Sequence, residues 1–410
     1  MGRGDEGRKT VRKWLLLLCL IPLLLGGSCL AAAASGPQDP DRSGSEALES
    51  ATPGELEQSE PFQQQLEASG ANGLMDDLSD ETRTLMEQIG IDSIGFTQIL
   101  SLEPGEFFRL LWSILKDLAG KPLKTLGSVI GIVILCALMN GLKNGVGESS
   151  MTPVVNAIGM LCCVTAVVIP LFDCIYRVVS VIQGSTNFIY SFIPVFSSVM
   201  TVGGQPVTAG SYSLLLYTAA QIIARVGSTT LIPLLCIYLA FSLVGALSPA
   251  MNLTGIAEMI KKTACWILSL MLTIFVGLLG IQGLVGSSAD NITMKTTRFL
   301  IGSFVPVVGG ALSEAFSTAQ GCIRLLKTTV GVYGVLAFVM TFLPIFLETV
   351  LWLWTVNIAA AVSELLEAGT IAKMLKASAS VLGILISLIL CFALLMIITT
   401  TMMLLMGTGG

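Results

Sequence analysis

Few residues in this 410-residue chain have the type and spacing to do chemistry. There are ten cysteines and no histidine. Cys136, Cys162, Cys163, Cys236 and Cys391 sit in apolar runs, and no C-x-x-C occurs. Such cysteines behave as small hydrophobes of a core. Zinc sites and imidazole-based catalysis have almost nothing to work with. The stretch "GLKNGVGESS" at 141–150 is glycine-rich but lacks the Gly-Lys-Ser/Thr ending of a phosphate loop. No G-x-S-x-G marks a serine nucleophile. An intramembrane aspartyl protease needs two carboxylates in membrane helices, and Asp173 and Asp290 lack that context. No catalytic, cofactor-binding or metal-binding residue is expected, and no basic-aromatic patch suggests nucleic acid.

What remains is charge placed against apolar sequence. Asp173 and Arg177 are four apart and could pair on one helix face. Glu348 lies between two apolar runs. At mid-membrane a charge costs about 2.5 kcal/mol or more, so a buried Glu348 implies a pathway or an ion pair; at the interface it is an ordinary loop residue. Three basic pairs follow: Lys261 with Lys262, Arg324 with Lys327, and Lys373 with Lys376.

The elements that must position these residues are hydrophobic. The chain is 53% hydrophobic and 12% charged, with mean hydropathy +0.83. Soluble domains are nearer a quarter charged. Apolar runs of membrane-spanning length recur. Residues 105–125 look like an interfacial amphipathic helix, and 126–407 like a polytopic body of about eight to ten membrane segments. Several are interrupted by Pro or Gly, as at Pro194, "GGQP" (203–206) and Pro306. Broken segments are tolerated where protein or a watery cavity receives the backbone, and they border transport routes in repeat-built transporters; ordinary kinked helices give the same pattern. Gly127-x-x-x-Gly131 has the spacing of a close helix contact, though glycine is common here.

The N-terminus carries a basic region (Arg3, Arg8, Lys9, Arg12, Lys13), an apolar stretch from Trp14 to Leu25 and a run of alanines. Residues 1–34 read as an export signal, cleaved near Ala33 or Ala34 or kept as an anchor. A lipoprotein site at Cys29 fits poorly, with Gly26 where an apolar residue is wanted. Residues 35–104 hold fifteen Asp and Glu against two basic residues, which fits an extracytoplasmic segment. Its 36–60 tract has a disordered composition; Leu74, Leu78, Leu85, Ile89 and Ile91 predict one or two short helices.

The basic pairs belong to a repeated pattern. "GALSPAMNLTGIAEMIKKT" (245–263) and "GALSEAFSTAQGCIRLLKTT" (310–329) share an opening, a glutamate and a closing Lys-Thr. A looser copy, "AVSELLEAGTIAKMLKASASVLG", covers 361–383. Gly334 and Gly383 each follow the last lysine of their copy by seven residues. The spacing predicts an amphipathic helix in the membrane plane feeding a transmembrane helix. The positive ends would face cytoplasmic lipid and receive a soluble partner; the plainer alternative is that they only set the entry angle of the spans. Lys121, Lys124, Lys295 and Arg298 fit this topology less well. The expected fold class is all-α: a polytopic integral membrane protein with internally repeated amphipathic-helix and transmembrane-helix units.

The strings "IPVFSSVMTVGGQPVTAGSYS" (193–213), "GALSPAMNLTGIAEMIKKTACWILSLMLTIFVGLLGIQG" (245–283) and "GSSADNITMKTTRFLIGSFVPVVGGALSEA" (286–315) resemble the stage III sporulation protein AE family. The resemblance covers roughly 75–405. It implies a multi-pass protein of the mother-cell membrane facing the engulfed forespore, within a channel or secretion-like complex. The implied partners are membrane lipid, other subunits and a separate cytoplasmic ATPase. A permease-like role fits; a non-conducting scaffold is the alternative, and an intramembrane enzyme a distant one. The family lends no catalytic residues.

Overall fold

The computed structural model describes residues 53–146, 152–247, 253–304 and 309–405. The expected signal region 1–34 and most of the 36–60 tract lie outside them, as do the side chains of Lys295 and Arg298. The acidic segment folds into four short helices, α1 (Pro53–Glu57), α2 (Glu60–Ser69), α3 (Asp80–Gln88) and α4 (Phe96–Leu100), with a 3₁₀ turn at Ala71–Met75. Local chemistry sets their ends. Gly70, at φ 73°, closes α2 in the left-handed conformation that glycine adopts without cost. Ser79 caps α3 by accepting from the Thr82 N–H, and Asp80 and Glu81 favour its positive end. Phe62, Leu74, Leu78, Leu85, Met86, Ile89 and Ile91 are buried, so the segment is welded to the body by its apolar face.

The body is built from long helices: α5 (Pro104–Val146), α6 (Thr152–Val202), α7 (Pro206–Val226), α8 (Ile232–Leu247), α9 (Thr254–Phe304), α10 (Gly309–Leu365) and α11 (Gly369–Leu405). A π-turn at Gly227–Leu231 joins α7 to α8; Pro233 supplies no N–H to the turn before it, and that turn widens. At 1.5 Å per residue the 57 residues of α10 run about 85 Å, more than twice a bilayer's apolar thickness.

Six stretches are long and apolar enough to cross a membrane among the described residues. The sequence predicts eight to ten, because segments interrupted at sites such as Pro194 are counted separately; Pro194 lies inside one continuous helix, as do Pro170 and Pro344. Likewise the predicted interfacial helix 105–125 and the span after it form one helix, α5. The G-x-x-x-G spacing is not used for packing: a Cβ at Gly127 or Gly131 would meet nothing within 4 Å.

The centre is the antiparallel α10–α11 hairpin, the most buried part of the body. Phe342 meets Phe392 with ring centroids 5.6 Å apart, and Gly331 lies against Leu404. Helix α6 runs antiparallel to α10. Phe188 stands edge-on to Phe338 at 5.4 Å, and Cys174 Sγ lies 3.4 Å from Thr349 Oγ1. Helix α7 folds back on α6, with the Tyr217 and Tyr190 rings tilted at 36° and 4.8 Å apart, and Gly227 comes level with Leu388. These contacts give each helix a common scale along the bundle, with Glu348 near its middle.

Candidate functional site

The most buried face of α10 carries a stripe of polar and small residues at seven-residue spacing: Lys327, Gly334, Thr341, Glu348 and Thr355. Two turns of an α-helix nearly complete in seven residues, so this spacing keeps one face. Four members meet α6, the α6–α7 turn or the N-terminal segment. Lys327 Nζ donates to Gln205 Oε1 at 3.0 Å. Gly334 lets the Phe192 ring approach: a Cβ there would sit 2.5 Å from Phe192 Cε2. Thr82 Oγ1 donates to Thr341 Oγ1 at 3.1 Å. Glu348 meets Arg177.

Arg177 is the hub. Its Nη1 lies 2.6 Å from Glu348 Oε2 and its Nη2 3.7 Å from Glu81 Oε1. The Glu348 side chain is 11% exposed, so its charge is desolvated, whereas Arg177 and Glu81 are half-exposed. The close contact with Arg177 is an ion pair without aligned hydrogen-bond geometry, leaving Glu348 Oε2 incompletely satisfied. Lys121 lies near enough to act electrostatically on Glu348. The predicted pairing of Arg177 with Asp173 is corrected: Asp173 is exposed, and the guanidinium turns across α6 to the buried carboxylate, where the lower dielectric makes the attraction stronger.

Beside the hub a cleft of about 120 Å³ opens between α3, α6 and α10. Glu81, Thr82, Ser180, Ser185 and Thr341 supply its polar groups, and Pro344 lies in its wall. Pro344 gives no N–H to the carbonyl of Met340, another lining residue. The arrangement can hold water or a small polar solute beside a charged pair. Among the described residues no group of three metal-ligating side chains occurs.

The basic pairs do not gather at one end of the bundle. Lys261 Nζ donates to Ser380 Oγ at 3.2 Å, and Lys376 pairs with Glu364. Lys261, Lys262, Lys373 and Lys376 therefore belong to the end where α10 passes into α11. Arg324 and Lys327 lie at the far end of that hairpin. Thirty-five residues of α10, about 50 Å, separate Lys327 from the level of Lys373. Lys327 is also buried rather than on the polar face.

Nor do the three similar stretches share a structure. The first spans the end of α8 and the start of α9, the second lies within α10, and the third is the α10–α11 turn. Gly334 packs against Phe192, whereas a Cβ at Gly383 would meet nothing within 4 Å. Ile256, Met259 and Leu365, expected on lipid-facing apolar faces, are exposed, while Ile371 and Leu375 are buried in the bundle.

Sequence reasoning missed Glu81, Thr82 and Thr341. The seven-residue stripe was a signal that could have found Thr341. Nothing in the sequence joins Glu81 to Arg177, ninety-six residues away.

Long apolar helices around a buried ion pair define this molecule as a polytopic helical membrane protein. The stage III sporulation protein AE family model matches residues 96–407, and the chain belongs to that family. Stage III sporulation protein AE of Bacillus subtilis (strain 168) is 28% identical over 239 residues, covering 57% of this chain and 59% of the relative. The matched region thus spans less than two thirds of that relative's length. No solved structure matches. The family match begins at Phe96, so α1 to α3, with Glu81 and Thr82, lie before it.

Proposed function

We propose that this sporulation-family membrane protein is the permease-like subunit of a channel or secretion-like complex linking mother cell and forespore. It sits in the mother-cell membrane, with residues 35–104 extracytoplasmic. The observation that carries this reading is the polar stripe of α10, with the Arg177–Glu348 pair and its cleft inside an otherwise apolar body. Burying a carboxylate inside a helix bundle is costly even when it is paired, and charged groups facing a bundle interior mark ion or solute paths.

A separate cytoplasmic ATPase would dock on the end bearing Lys261, Lys262, Lys373 and Lys376. Arg324 and Lys327 fall outside that docking face by geometry. Photo-crosslinkers at positions 262 and 373 in sporulating cells are expected to capture an ATPase subunit, with position 327 silent. Capture from position 327 alone, or from none of the three, sinks the docking face.

A non-conducting scaffold has one observation in its favour. The α10–α11 hairpin is tightly closed, with Phe342, Phe392, Leu395 and Met396 all buried. Solute flux through the reconstituted complex, abolished by Glu348→Gln, supports the permease; flux unchanged by that substitution favours the scaffold.

A further inference from the structure

The long helices exceed any bilayer, so only part of each can be embedded. We propose that lipid surrounds only the half between the Lys261–Lys373–Lys376 end and the level of Glu348. The other half, sheathed by α1 to α4, stands outside the membrane as a helical tower.

Three observations fix the boundary. First, exposed charges gather at one level on three peripheral helices. Arg177 and Thr349 tie that level to α6, Gly159 against Cys136 sets the register of α5 on α6 and brings Lys121 near that level, and Gly227 against Leu388 ties it to the α7–α8 junction. There Lys121, Lys124, Asp173 and Arg225 are all exposed. In hydrocarbon each would cost about 2.5–3.5 kcal/mol; at a lipid–water interface that cost is largely absent.

Second, the same helices change composition at that level. On α5, residues 104–124 hold six Asp, Glu, Lys or Arg and 126–139 none; on α6 and the α7–α8 rod, where 178–224 is charge-free too, the change is in uncharged polar residues. Helix α6 has one Ser, Thr, Asn or Gln between 157 and 172 but nine between 178 and 202. The α7–α8 rod has five between 206 and 224 and one between 231 and 245. The outward-facing polar side chains follow this change, while Phe108, Trp112, Val202, Leu214 and Ile222 are exposed apolar groups on the tower side. Leu135, Leu161, Ile169, Ile237, Trp354 and Ile358 are exposed on the embedded side. Gln183, Asn187, Ser198, Thr201, Thr218 and Gln221 are exposed on the other.

Third, the contacts of the acidic segment's described residues with α6 and α10 lie on the second half. Its marks on α10 run from Ser59 at Cys322 to Glu81 beside the Glu348 level. Asp76, Asp77, Asp80 and Glu87 are exposed there and could not face acyl chains.

The apolar band is thin: the 14 residues of α10 from Glu348 to the level of Lys373 rise about 20 Å, and the charge-free stretch 125–142 of α5 about 27 Å, against the roughly 30 Å of a hydrocarbon core, so lysines at that end reach beyond the band to headgroups. From Glu348 to Lys327 the tower rises about 30 Å more. The polar stripe of α10 therefore runs out of the membrane along the tower's axis, and Arg177–Glu348 marks where it crosses the interface.

The test uses the full chain in nanodiscs, which leave both membrane faces open to reagent. Single cysteines are made on a background with the native cysteines replaced: Ser198→Cys and Thr218→Cys in the tower, Leu135→Cys and Leu161→Cys in the band. A sulfonated maleimide should label the tower positions about tenfold or more faster, because thiolate formation needs water. Independent of those variants, the native tryptophans report through brominated lipid. In proteins retaining one tryptophan each, Trp354 should be quenched and Trp112 should not. Equal protection of all four thiols, faster labelling of the band, or equal quenching of Trp112 and Trp354 overturns the proposal.

Discussion

Arg177 and Glu348 face each other across 2.6 Å, one on α6 and the other on the central helix α10, with Glu348 almost wholly desolvated. The same guanidinium reaches Glu81 on α3, so one side chain ties the N-terminal segment to both helices.

This pair should be asymmetric under mutation. Removing one partner of a buried ion pair costs about 3–5 kcal/mol, mostly because the other charge is stranded. Arg177 is half-exposed, so Arg177→Ala should cost near the lower end of that range. Glu348→Gln leaves no buried charge and should cost less. Adding it to Arg177→Ala should recover stability, as read from thermal midpoints of the four proteins in detergent. A double variant no better than Arg177→Ala alone removes the ion pair from the account.

A second prediction concerns Gly334. A Cβ at this position would stand 2.5 Å from the Phe192 ring, which is itself locked between Phe188, Phe196 and Phe338. At Gly331 the nearest obstacle, 2.6 Å away, is the tip of the Leu404 side chain, which can turn aside. Overpacking costs about 1–3 kcal/mol. Gly334→Ala should therefore lower the melting temperature clearly more than Gly331→Ala, and Phe192→Leu should relieve the first substitution but not the second.

The helical membrane class was legible because apolar runs longer than eighteen residues leave few alternatives. Helix lengths were not, because Pro194 looks like a break in the sequence and is absorbed within the packed helix α6. The positive-inside rule misplaced Arg324 and Lys327 for a related reason. The repeat predicts them on an in-plane amphipathic helix at cytoplasmic headgroups, but they stand inside the long helix α10, where Lys327 follows Ile323 by four residues and is buried. Asp173 was a decoy: sequence spacing offers the nearest partner, and burial chose Glu348. The acidic segment's apolar residues were visible by spacing, but not their partners on α6 and α10, which depend on tertiary contact alone.

The sheath formed by α1 to α4 should be held by apolar burial rather than by charge. The exposed Glu81–Arg177 contact is of the kind worth about 0–1 kcal/mol. Phe62 is fully buried, and Phe→Ala in a core costs about 3–5 kcal/mol. Glu81→Ala should leave the rate of protease nicking within residues 53–103 nearly unchanged. Phe62→Ala should accelerate it strongly, since cleavage follows the population of the undocked form. The reverse order would make the segment an electrostatic latch.

Lys327 presents the opposite case from Glu348. It is 8% exposed, and among the described residues no carboxylate lies within ion-pair distance; its ammonium donates to Gln205 in the turn between α6 and α7. That turn is tight: Gly204 stands at φ 81°, and a Cβ at Gly203 would press on Ile323 of α10 at 3.2 Å. Burying a charge without a counter-charge is unfavourable, so Lys327→Met should hold or raise the thermal midpoint, exchanging an awkward cation for an apolar chain of similar length. Gln205→Leu should do the reverse, because it leaves the ammonium buried without this acceptor, at a cost above the 1–3 kcal/mol or so of an unsatisfied neutral group. Combining the two should erase most of that loss. If Lys327→Met melts far below the native protein, an acceptor other than Gln205 holds the ammonium, and the turn is pinned by something other than this hydrogen bond.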